Sequence, residues 1–150
     1  MKPHFAFPHK FHAELTGHRS TERSFFVRRH QYHCWYEPDW CFTDRDGQAW
    51  RPARKEWHSD GASIPHPLDW LVPAFDGLRY RQSTMGIHDP ACRDGKLERW
   101  DAHKMRWVVV AVPRSLADSL LQQAIHAEGG WALTRGAYWL GVRIGSGFRE

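Results

Sequence analysis

Gln31-Tyr32-His33-Cys34-Trp35-Tyr36 and, just after it, Trp40-Cys41-Phe42-Thr43-Asp44-Arg45-Asp46-Gly47-Gln48-Ala49-Trp50-Arg51 form the stretch whose reading decides the fold. In the first segment Tyr32, Cys34 and Tyr36 alternate with Gln31, His33 and Trp35. A two-residue period sends alternate side chains to opposite faces of a strand. In the second, two short aromatic runs flank Asp44-Arg45-Asp46-Gly47, whose Asp-Gly supplies the positive-φ residues of a tight hairpin turn. Together with Phe25-Phe26-Val27 upstream, these segments predict a small antiparallel sheet over residues 20–58.

Beyond residue 60 the apolar period lengthens. Across residues 115–127, Leu116, Ala117, Leu120, Leu121, Ala124, Ile125 and Ala127 fill roughly half the circumference of a helix at about 100° per residue. Gly129-Gly130 stop that helix, and residues 131–144 predict another, with Tyr138, Trp139 and Val142 as its apolar stripe. A further helix is expected within residues 76–92, where Gly86 and Pro90 leave its ends open. Residues 98–112 read either way, because Trp107-Val108-Val109-Val110 suits a buried strand as well as a helix. The expected architecture is α+β in one domain spanning residues 1–150. A small N-terminal antiparallel sheet (the β-rich half, 20–58) packs against three or four C-terminal α-helices (the mainly helical half, 60–145).

Composition narrows the class. A chain of 150 residues, 41% hydrophobic and 25% charged, supports one hydrophobic core and is neither disordered nor built of two enzyme domains. Nine Trp imply an aromatic core partly lined by polar groups, since a buried indole N–H needs an acceptor. Eleven His make the formal charge of +4 strongly dependent on acidity. A positive chain is drawn to anionic surfaces. The basic residues are scattered, however, with no RNA-binding aromatic signature and no zinc-finger spacing, which argues against nucleic acid. Cys34, Cys41 and Cys92 are an odd, sparse set, so no disulfide scaffold is expected and synthesis falls in a reducing compartment. No run of apolar residues reaches signal-peptide or membrane-spanning length, which places the newly made chain in the cytoplasm.

Three short segments carry candidate chemistry: Asp60-Gly61-Ala62-Ser63-Ile64-Pro65, Ile87-His88-Asp89 and Ser115-Leu116-Ala117-Asp118. A His followed by Asp on a helix sets two polar heads about 100° apart, one for a reaction centre and one for a metal or a solvated edge. A carboxylate from another helix can fix the imidazole's tautomer and raise its basicity, and Asp118 is the candidate. The plainer readings are a helix cap at Ser115 and Asp118, three residues apart, a turn at Asp60-Gly61 and a helix end at His88-Asp89 before Pro90. His30, His33, Cys34 and Cys41 carry metal-ligand chemistry, but alternation sends His33 and Cys34 to opposite faces of one strand. Trp35, Trp40, Trp50 and Trp57 suit a stacking platform for sugars or bases; the core reading is favoured for aromatics on half-buried strands.

At these segments the chain resembles a family of small phage and prophage proteins catalogued as domain of unknown function 1353. The family pattern runs from a β-rich start through T-D-G-A-S-I-P, a helix with H-D-x-x-Y and a later helix with R-x-x-A-D, to an aromatic helix ending in A-V-R-x-x-G. Here the corresponding residues are Ser59-Asp60-Gly61-Ala62-Ser63-Ile64-Pro65, His88-Asp89, Ala117-Asp118 and Tyr138-Trp139-Leu140-Gly141-Val142-Arg143-Ile144-Gly145, over about residues 25–145. Cys92 stands where the family has tyrosine, and residues 94–113 form a longer connection than is usual.

The resemblance implies a phage or prophage origin. The His-Asp helix with a later Asp is also similar to the dyad of phospholipase A2 enzymes. That likeness implies His88 as general base, Asp118 as its orienting carboxylate, and Asp89 with Asp60 holding a divalent metal such as calcium, with Asp60-Gly61 or Asp76-Gly77 in place of a calcium loop. A second comparison, with all-helical phosphohydrolases using His66, His88, Asp89 and Asp118, conflicts with the predicted sheet. The functional expectation is a hydrolase-like protein acting on lipid or cell-envelope bonds. Its competitor is a non-catalytic virion, tail or assembly component that docks other phage structural proteins. In either case the chain is made in the host cytoplasm, is a candidate for incorporation in the virion, and could touch the anionic envelope surface.

Overall fold

The computed structural model describes residues 1–19, 29–59 and 80–130, together with residues 132, 135, 136, 139 and 140. The strands are β1 (His4–Ala6), β2 (Phe11–Arg19), β3 (Arg29–Tyr36), β4 (Cys41–Thr43), β5 (Ala49–Arg51), β6 (Glu56–Ser59), β7 (Lys96–Asp101) and β8 (Arg106–Ala111). A π-helical segment, Gln82–His88, runs directly into α1 (Asp89–Asp94), and α2 spans Arg114–Ala127. The strands form a five-stranded sheet in the order β1-β4-β5-β7-β8 and a three-stranded sheet in the order β2-β3-β6, all pairs antiparallel. The fold is α+β, as expected.

Its proportions differ from the expectation in two ways. Strands extend beyond residues 20–58: β1 and β2 precede that window, and β7 and β8 lie in the half expected to be mainly helical. Among the described residues two α-helices are complete, against the three or four expected. They are α1 with its π-helical lead and α2; helical positions 132, 135, 136, 139 and 140 come from the helix expected over 131–144, the rest of which lies outside the described residues. The ambiguous segment 98–112 is resolved as strand. Val108, Val109 and Val110 pair with Arg99, Glu98 and Leu97, the environment that β-branched side chains favour. The turn before them lacks the usual Gly or Pro. Asp101 Oδ1 accepts the backbone N–H groups of His103 and Lys104, and Met105 takes the positive φ of 49°.

The Asp44–Gly47 turn forms where its sequence predicts, but of the Asp-Gly pair only Gly47 takes a positive φ, at 83°; Asp46 does not. Asp44 is buried, and its carboxylate accepts three N–H groups: the backbones of Asp46 and Gln48, both at 2.9 Å, and Trp50 Nε1 at 2.8 Å. One side chain therefore both shapes the turn and satisfies a buried indole.

Both sheets and both helices contribute to a single buried cluster that includes Phe11, Cys34 and Trp57 from one sheet, Phe42, Trp50 and Leu97 from the other, and Met85, Ile87, Ala91, Ala117 and Leu120 from the helices. Trp40, Trp50 and Trp57 all lie in this core, so they form no exposed platform. Each indole N–H has an acceptor: Gln82 Oε1 for Trp40 at 2.8 Å, Asp44 for Trp50, and the Met85 carbonyl for Trp57 at 2.9 Å.

The last of these bonds explains why a π-helical turn is tolerated before α1. The Asp89 N–H reaches back five residues to the Thr84 carbonyl. The next bond of that ladder would need an N–H at position 90, and Pro90 has none. The Met85 carbonyl takes the Trp57 indole instead. At Gly86 a Cβ would stand 2.9 Å from Trp40 Cη2 and 3.1 Å from Phe11 Cε2, two rings that are fully buried. Gly86→Ala is expected to cost about 1–3 kcal/mol through overpacking, seen as a lower urea midpoint with unchanged slope; an unchanged midpoint would show that the two rings can move apart.

Candidate active site

The end of the π-helical segment and the middle of α2 bring the site together. α2 buries Ala117, Asp118, Leu120, Leu121, Ala124 and Ile125, the face expected from the apolar period. Asp118 belongs to that buried face and is not a cap. The helix begins after Pro113, and no side chain caps it, so the capping reading of Ser115 and Asp118 does not hold. Across the interface, His88 Nε2 lies 3.1 Å from Asp118 Oδ1, with the imidazole side chain 12% and the carboxylate side chain 3% exposed. The expected pairing of these two residues is realised.

Two further residues join the pair that the sequence reading did not assign to it. Cys92 Sγ lies 3.4 Å from His88 Nε2 and 3.9 Å from Nδ1. Arg114 Nε lies 3.7 Å from Asp118 Oδ1. Both follow from four-residue helical spacing, His88 to Cys92 and Arg114 to Asp118, which puts side chains on one face.

Electrostatics fix the protonation of His88. Burial by itself lowers its pKa, but the hydrogen bond to Asp118 and the contact with Cys92 outweigh burial and raise it from 6.5 to about 9. Near neutrality His88 is thus an imidazolium. Among the thiols, burial, with Asp89 nearby, pushes Cys34 up to about 12, and burial also raises Cys41.

The remaining candidates are placed as follows. Asp89 follows His88 on α1, and its carboxylate lies 3.6 Å from the Arg93 guanidinium one turn on. Asp60, with the rest of the Asp60–Pro65 segment, lies outside the described residues, as do His66 and Asp76-Gly77. Among the described residues no three His, Cys, Asp or Glu side chains converge so as to hold a metal ion. That includes His33, Cys34 and Cys41: Cys34 is buried under its sheet, His33 meets Glu56 on the outer face at 3.3 Å, and Cys41 is in the other sheet. The side chains described here therefore do not fit a calcium or zinc centre.

An open cleft of about 430 Å³ is lined by Arg54, Glu56, Trp57, His58, Pro90, Arg93 and Asp94. Pro90, Arg93 and Asp94 lie on roughly the opposite side of α1 from His88 and Cys92 at about 100° per residue. The cleft and the His88–Asp118 pair thus share a helix but occupy different faces of it.

Comparison of the chain with protein-family models, with curated proteins and with solved structures finds no match in any of the three. The likeness to the phage family rests on the quoted residues alone.

The raised pKa of His88 has a thermodynamic consequence. Stability contributed by protonated His88 is fully present below about pH 6.5 and is lost as pH rises through about 9. The difference in unfolding free energy between the wild type and His88→Gln should shrink by up to about 3 kcal/mol between pH 6 and pH 10, measured by urea denaturation at each pH. A difference that does not change with pH would show that the buried imidazole is neutral.

Proposed function

We propose that this chain is a phage- or prophage-encoded protein with a hydrolase-like centre at His88 and Asp118, acting on ester or amide bonds of lipid or the cell envelope. The supporting observation is the 3.1 Å bond between an imidazole on one helical segment and a buried carboxylate on another, 30 residues apart in sequence. Those two positions are the H-D and A-D segments of the family likeness. Asp118 orients the ring and keeps its proton.

With its pKa near 9, His88 is already protonated at neutral pH and cannot take a proton from water there. Its role in this reading is that of a general acid, delivering a proton to the leaving group. Asp89 steadies α1 through Arg93. The protein is made in the host cytoplasm and carried to the envelope, where a net charge of +4 favours an anionic surface. No helix among the described residues is long and apolar enough to cross a membrane.

A second reading is favoured by the low exposure of His88 and by the position of the cleft on the other face of α1. In it the pair only clamps α1 to α2, and the protein is a non-catalytic virion, tail or assembly component docking another phage protein.

Hydrolysis of liposomes and of peptidoglycan fragments, with calcium and with a chelator, separates the two. The hydrolytic reading expects turnover that falls about 100-fold or more in His88→Gln and declines above about pH 9 as the imidazolium is lost. Equal turnover by His88→Gln would eliminate the dyad. Co-purification with tail or capsid proteins would then carry the docking reading.

A further inference from the structure

We propose that Cys92 is the nucleophile of this centre, attacking the substrate's acyl carbon beside the imidazole that Asp118 holds; the inference rests on the hydrolytic reading above. The geometry comes first. Cys92 sits one helical turn after His88, and its sulfur is nearly equidistant from the two ring nitrogens, at 3.4 Å and 3.9 Å. The sulfur therefore lies alongside the ring, and the bond from Nε2 to Asp118 is intact at the same time. Burial sets Cys34 apart from the other two thiols: it is sealed in the core, whereas Cys92, like Cys41, is half-buried, at the edge of the core cluster.

The chemistry follows from that contact. Cysteine attacks carbonyl carbon as the thiolate, and an imidazolium beside the sulfur can supply the proton that the leaving group needs. A sulfur nucleophile also resolves a difficulty, because a protonated His88 cannot activate water at neutral pH. In the first step a sulfur lone pair forms the C–S bond, the C–O or C–N bond of the ester or amide breaks, and the leaving alkoxide or amine takes the proton carried by His88. In the second, water attacks the thioester, gives a proton to the now neutral His88, and the C–S bond breaks to release the acid and restore the sulfur. Each proton is accounted for, and no oxidant or metal is needed.

The test is labelling of the intact chain at neutral pH with iodoacetamide and with an aryl acetate, read by peptide mass. Cys92 is expected to alkylate about tenfold or more faster than Cys41 and to retain the acetyl group, and both effects should be lost in His88→Gln. The ratio of Cys92 to Cys41 in the unsubstituted chain needs no variant to fold. Labelling of Cys92 no faster than Cys41, or unchanged in His88→Gln, would overturn the assignment. Turnover of the envelope substrates distinguishes the two levels: loss in both Cys92→Ala and His88→Gln supports the nucleophile. Loss only in His88→Gln overturns it but keeps the dyad, and loss in neither overturns both.

Discussion

The need of buried indoles for an acceptor organises this structure. Trp40, Trp50 and Trp57 lie in the core, and an unsatisfied N–H there would cost about 1–3 kcal/mol. Two of the three acceptors come from the π-helical segment, as the Gln82 side chain and the Met85 carbonyl. The same bonds therefore pin the segment that ends at His88 against β6 and the connection between β3 and β4. Gln82 is held in turn by Glu128, which also accepts the backbone N–H and the hydroxyl of Ser83. Burial raises the Glu128 pKa against those hydrogen bonds. This polar chain links the start of the π-helical segment to the end of α2, while His88 and Asp118 link its other end to the middle of α2.

Legibility in the sequence followed the range of the interactions involved. The Asp44–Gly47 hairpin, the alternation of β3 and the buried face of α2 are set by local period and turn chemistry, and each was readable. β7 and β8 were not, because their turn uses Asp101 side-chain bonds and a left-handed Met105 where the expected signal is Gly or Pro. Their valines carry no period able to separate strand from buried helix. The π-helical turn depends on Pro90 withholding an N–H and on Trp57 supplying one from 28 residues away, a coincidence that no local pattern encodes.

The candidate site was legible in part for the same reason. His88 and Asp118 stood out as a motif pair, and the structure joins them. Cys92 carries no catalytic signal in the sequence beyond its four-residue spacing from His88, which places it on the same helical face. Protonation was beyond spacing altogether. It depends on how deeply the pair is buried and on the hydrogen bond from a carboxylate on another helix. The outcome turns a base expected to activate water into an imidazolium at neutral pH, and with it the chemistry open to the site.

The charge state of His88 is thus the point on which the account rests. Nitrogen-15 NMR of the histidine rings, assigned with His88→Gln and followed from pH 5 to pH 10, measures it directly. The account predicts that His88 stays protonated through neutrality, titrates near 9, and moves down toward the ordinary histidine range in Asp118→Asn. A His88 ring that is neutral at pH 7, or whose titration is unmoved by Asp118→Asn, would contradict it.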